Sequence, residues 1–109
     1  MNYLTDRDQE LARQYIIYRS ARKALRHDRD KMRENGLKFR MIYEQLIENV
    51  LKSVDTKLDR LSNELIRVSR TDQVTVYDVR VRNRQGYIEV TAVDVVEEVE
   101  KLFLREAGK

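Results

Sequence analysis

Side chains that could do chemistry are few in this sequence, and each must be read against its neighbours. The single histidine, His27, stands between Arg26 and Asp28 in a charged stretch, with no second imidazole and no carboxylate set at metal-ligand spacing. It is expected on a solvated surface. Glu97 and Glu98 have the right type for acid-base work, but on a short amphipathic helix paired carboxylates read as a solvated face. The serines lack a partner histidine or a sharp glycine-flanked turn, and no glycine-rich phosphate loop occurs. The chain is therefore expected to be non-enzymatic and to use no metal or cofactor.

The remaining chemistry is that of charge. Residues 13–40 carry ten Lys or Arg against Asp28, Asp30 and Glu34, whereas residues 94–106 carry five acids against Lys101 and Arg105. The net charge of +3 thus hides a polarised molecule. Arg19, Arg22, Lys23, Arg26 and Arg29, with Tyr15 and Tyr18 nearby, could meet a phosphate backbone. Arg80, Arg82 and Arg84, with Tyr87, form a second basic set that a β-ribbon would carry into a groove. The competing reading is a charged surface that keeps an assembly dissolved, since acids are interspersed and Arg80 would face Glu89 across the ribbon.

Positioning these residues requires elements, and the pattern supplies five. Thr5 reads as an N-cap with Asp6 and Asp8 in the first turn. Leu4, Leu11, Tyr18, Leu25 and Met32, with Tyr15 and Ala21, then mark one narrow apolar seam on a helix ending near Asn35-Gly36. A second helix is predicted over 37–69. Its seam, Ile47, Leu51, Val54, Leu58, Leu61, Leu65 and Val68, alternates spacings of four and three as a coiled coil does. A second stripe of Phe39, Ile42, Tyr43, Leu46 and Val50 is expected to be buried on two sides.

After Asp72 the period becomes two, predicting strands over 74–82 and 87–92 around a four-residue loop, Asn83-Arg84-Gln85-Gly86. That register opposes Val81 to Ile88, Val79 to Val90 and Tyr77 to Ala92. Asp94, with Glu97 three residues on, is expected to cap a last helix over 95–106. The order is ααββα in one α+β, mostly helical domain over 1–109, with a long antiparallel helical hairpin at 5–69 and the β-hairpin and C-terminal helix at 74–106.

Two long helices bury only one seam between them, and a two-stranded hairpin is marginal alone. Both needs are met by self-association, so a homodimer is predicted through Ile47, Leu51, Val54, Leu58, Leu61, Leu65 and Val68. The expected role is that of a small regulatory or assembly protein whose partner is another protein, with nucleic-acid binding as the alternative. Zero cysteines exclude a disulfide framework. The N-terminus lacks a secretory layout and no apolar run approaches the roughly 20 residues of a membrane span, so a cytoplasmic, membrane-free place is expected.

Overall fold

The computed structural model describes residues 2–35 and 40–108. Two long helices, α1 (Asp6–Asn35) and α2 (Arg40–Leu61), are followed by one 3-10 turn (Ser62–Glu64). The strands β1 (Ile66–Arg70), β2 (Val76–Val81) and β3 (Arg84–Glu89) and the helix α3 (Ala92–Ala107) complete the chain. It is a mostly helical α+β fold, a helical hairpin leading into an antiparallel sheet of order β1-β2-β3 and a last helix. Gly36, Leu37, Lys38 and Phe39, on which the sequence places the hairpin loop, the start of α2 and one ring of its second stripe, lie outside the described residues.

α1 is the axis of the molecule, packing on α2, α3 and all three strands. Its seam is accordingly wider than the heptad reading expects. Ala12, Ile16 and Ile17 join Leu4, Tyr18, Ala21 and Leu25 among its buried residues, and no side chain from Leu11 to Tyr18 is exposed. A helix enclosed on three sides has no free face there. Beyond Leu25 the neighbours reduce to α2, and the charged sequence resumes.

α2 is shorter than predicted. The spacing of four and three runs on through Leu65 and Val68, but the helix stops at Leu61 and Leu65 turns the chain at φ 55, a left-handed conformation. Ile66 and Val68 then alternate with Arg67 and Ser69 as β1, a strand absent from the sequence prediction. It pairs antiparallel with β2, Ile66 opposite Val81, Arg67 opposite Arg80 and Val68 opposite Val79. The third strand gives the ribbon the neighbour that a bare hairpin lacks.

The β2–β3 register differs by four residues from the predicted one, which preserves parity and therefore the buried face of Val79, Val81, Ile88 and Val90. The loop is the two residues Arg82 and Asn83, with Arg82 at φ 57, the positive value that a type II′ turn has at its first central position. Arg80 consequently opposes Gln85, not Glu89. Gly86 lies within β3 because the segment before α1 crosses it. Tyr3 N donates to Gln85 O at 2.9 Å, Asn2 Nδ2 to Tyr87 O at 3.3 Å, and a Cβ on Gly86 would come 2.0 Å from Asn2 Oδ1.

The core joins Ile47, Val50, Leu51, Val54, Leu58 and Leu61 of α2 to the buried residues of α1, the sheet valines and Leu102 of α3. At the opposite end of α2, Met41, Ile42 and Tyr43 are 79%, 65% and 51% exposed. Among the described residues of the stripe expected to be covered on two sides, cover begins at Leu46. The long dimension of the molecule is 51 Å, against 30 and 19 Å for the others.

Candidate functional site

The N-termini of α1 and α3 are built alike. Thr5 Oγ1 accepts from Asp8 N while Asp8 Oδ2 accepts from Thr5 N, both at 3.0 Å, a reciprocal capping box. Thr91 and Asp94 repeat it at α3, so Thr91 is the N-cap where the sequence pointed to Asp94, and Asp94 takes the third helical position. In each case the aspartate also holds an arginine from another element. Arg84 of β3 grips Asp8 with Nε to Oδ2 and with Nη2 to Oδ1 at 2.9 Å, and Arg13 of α1 reaches Asp94 Oδ1 at 2.9 Å and Glu89 O at 3.0 Å. The Arg84 guanidinium holds the buried Asp8 carboxyl far below the ordinary carboxylate range against the opposing effect of burial. Asp94 is also lowered, first by the Thr91 backbone amide and then by the Thr91 hydroxyl and Arg13.

Below the α3 cap a cleft of about 290 Å³ is lined by Glu10, Arg13, Tyr18, Asp94, Glu98 and Lys101, among others. Tyr18 donates its hydroxyl to Glu98 Oε1 at 3.0 Å, and burial followed by that carboxylate pushes the phenol up to about 12. A neutral, hydrogen-bonded tyrosine locks α1 to α3 there. No three His, Asp or Glu side chains converge on a metal-sized site among the described residues, and His27 is exposed on α1.

Among the basic residues singled out in the sequence, four are engaged within the chain. Arg29 bonds Glu48 at 2.9 Å, Arg22 approaches Asp55 at 3.7 Å, and Arg84, expected at an exposed tip, is half-buried on Asp8. Arg82 lies 3.6 Å from Glu64, an acid that Arg7 shares. Arg19, Lys23 and Arg80 have no acidic partner at ion-pair distance among the described residues, and neither does Arg26, which sits apart on the distal half of α1.

The structure adds Arg67 and Arg70, which sequence reasoning passed over because Arg67 fell within the helix predicted over 37–69 and Arg70 in the segment between that helix and the first predicted strand. Arg67 stands directly opposite Arg80 on the exposed face of the sheet. One recess, about 500 Å³, is lined by Arg67, Arg80, Arg82, Tyr15 and Leu65. A second, about 300 Å³, is lined by Arg19, Lys23, Arg70 and Tyr77. Arg19 lies over the Tyr15 ring at 5.3 Å and Arg70 over the Tyr77 ring at 5.8 Å.

Of the seven residues assigned to an interchain seam, Ile47, Leu51, Val54, Leu58 and Leu61 are buried within the single chain, Val68 is half-buried in β1, and Leu65 is 62% exposed. Large apolar residues are exposed at the start of α2, at Met41, Ile42 and Tyr43, and also on α3, at Val93, Val96 and Leu104. Charges flank the start of α2 in ion pairs, Arg40 and Arg33 with Glu44 at 3.6 and 3.5 Å and Lys31 with Glu34 at 3.7 Å.

These features define a class: a small α+β chain whose long helical hairpin is clamped at one end by a sheet and a short helix and, among the described residues, exposes Met41, Ile42 and Tyr43 toward the other. The chain belongs to the YhjD protein family, whose profile matches residues 3–107. No curated protein and no solved structure gives a significant match. No helix among the described residues is long and apolar enough to cross a membrane.

Proposed function

We propose that this chain is a small, non-catalytic assembly protein that self-associates through the exposed apolar residues at the start of α2 and in that form engages a protein partner. The observation that carries the reading is the exposure of three consecutive apolar residues, Met41, Ile42 and Tyr43, around the first turn of α2, in a chain whose helical seam from Ile47 to Leu61 is buried. Three large apolar side chains left in water at one tip are the surface that association removes. A second copy suits them because a two-fold contact sets the patch against itself, and the flanking charges are already paired in both signs, so like-charge repulsion across the contact is small. A cytoplasmic place agrees with the absence of cysteine.

Light scattering over a concentration series tests this directly. The wild-type chain should weigh about twice its 13.1 kDa at tens of micromolar, and Ile42→Lys with Tyr43→Lys should return it to a monomer with unaltered helical circular dichroism. A wild-type monomer throughout that range would end the proposal.

A further inference from the structure

We propose that the edge of the sheet is a binding track for a single-stranded nucleic acid, with Arg82, Arg80 and Arg67 meeting phosphates on the outer face and Arg70, Arg19 and Lys23 continuing the contact on the inner side. This surface is separate from the hairpin tip and does not depend on its association.

Pairing is the first argument. Where α1 meets α2, the bases are matched by acids: Arg22 with Asp55, Arg29 with Glu48 and Arg33 with Glu44. Along the β1 edge they are not. Of the six track residues only Arg82 has an acid at ion-pair distance among the described residues, Glu64, and that acid is shared with Arg7.

Cost is the second argument. Arg67 and Arg80 are direct cross-strand partners, a like-charge juxtaposition that works against the sheet. An anion lying between two guanidiniums removes that repulsion and takes up their forked donors. The fold maintains the arrangement although Gln85, opposite Arg80 on the other side, gives its amide to Asp78.

The path of the track selects a flexible strand over a duplex. By strand parity Arg67 and Arg80 project from the face opposite to Ile66, Val68 and Val79, whereas Arg70 shares the inner face and looks toward α1. A ligand that touches Arg67 and Arg80 as well as Arg70 must therefore bend around β1 within a few residues. A duplex, stiff over roughly 150 base pairs, resists that bend, whereas a single strand accepts it. β1 is the edge strand of the sheet, and no strand pairs with its outer side among the described residues. Tyr15 and Tyr77, each beneath a guanidinium, place aromatic surface beside both recesses.

Fluorescence anisotropy with a labelled 20-nucleotide oligouridine, a matched DNA duplex and unlabelled polyglutamate as competitor tests the track on the full chain. The single strand should bind at about 50 mM salt with a log-log salt slope of roughly −4, as six phosphate contacts imply for single strands. Arg67→Gln with Arg80→Gln should weaken binding about tenfold or more and reduce the slope to roughly −3. Its melting temperature should stay level or rise by on the order of 1–3 °C, because a repulsion has gone. The charge-matched variant Arg26→Gln with Lys52→Gln should lose far less affinity. No binding at tens of micromolar protein, tighter binding of the duplex, displacement by polyglutamate at equal charge concentration, an equal loss in the control, or a lower melting temperature for the track variant would each overturn the proposal.

Discussion

Asp8 has a cap and a long-range clamp by Arg84 of the same chain on one carboxylate, and its pH dependence follows from that. Its folded value lies below the ordinary carboxylate value, so its contribution to stability is fully present above about pH 4 and is lost as pH falls through and beyond that range. Unfolding midpoints should be level near neutrality and fall below pH 4. Asp8→Asn should flatten part of that fall while lowering stability at pH 7 by about 2 kcal/mol, the scale of a capping bond plus a charged hydrogen bond. Tyr18 acts at the other extreme. Its folded value of about 12 lies above the ordinary 10, so its contribution holds below pH 10 and disappears as pH rises through 12. Denaturant melts between pH 9 and 12 should show that loss in the wild type and a smaller one in Tyr18→Phe.

At the scale of elements, the sequence is legible where one period governs and illegible where two overlap. α1 begins and ends where Thr5 and Asn35 indicate, and the sheet faces follow from the alternation of Val79 and Val81 with Arg80 and Arg82. Val68, however, fits both the heptad that starts at Ile47 and the alternation that starts at Ile66. With no proline or glycine between Leu61 and Ile66, nothing in the composition marks the break that Leu65 makes. The basic track was hidden with it, since Arg67 faces Arg80 only once β1 exists. Gly86 misled in a different way, because its need for a missing Cβ comes from Asn2, far off in sequence, rather than from a turn. Gly86→Ala should force Asn2 off β3 and cost about 1–3 kcal/mol, measured by chemical denaturation. Asn2→Gly in the same background should recover part of the loss, an outcome that a purely local strand effect would not produce.

The molecule as a whole is unevenly supported along its length. Its sheet, α3 and the first half of α1 share one core, whereas α1 beyond Leu25 and the start of α2 pack mainly on each other among the described residues. Local opening should be easiest there. In hydrogen exchange on a dilute monomer, amides of 26–35 and 40–46 should exchange well before those of 12–25 and 50–58, and raising the concentration into the range of self-association should slow the first group selectively. Equal protection in the two halves at every concentration would contradict both the uneven support and the role given to the start of α2.

The two clamped caps also set an order in time. Asp8 waits for Arg84, and Arg13 waits for the carbonyl of Glu89, each across 76 residues. A ribosome adding about 5–20 residues per second has therefore released α1 and most of α2 for several seconds before either clamp can close. During that interval the start of α1 has its local capping box and no anchor, and the apolar face that the sheet will cover is open to water. The β2–β3 turn is thus the step that ends exposure, and a chain halted before Arg84 should be the species that chaperones hold and proteases cut, whereas one extended past Glu89 should resist both.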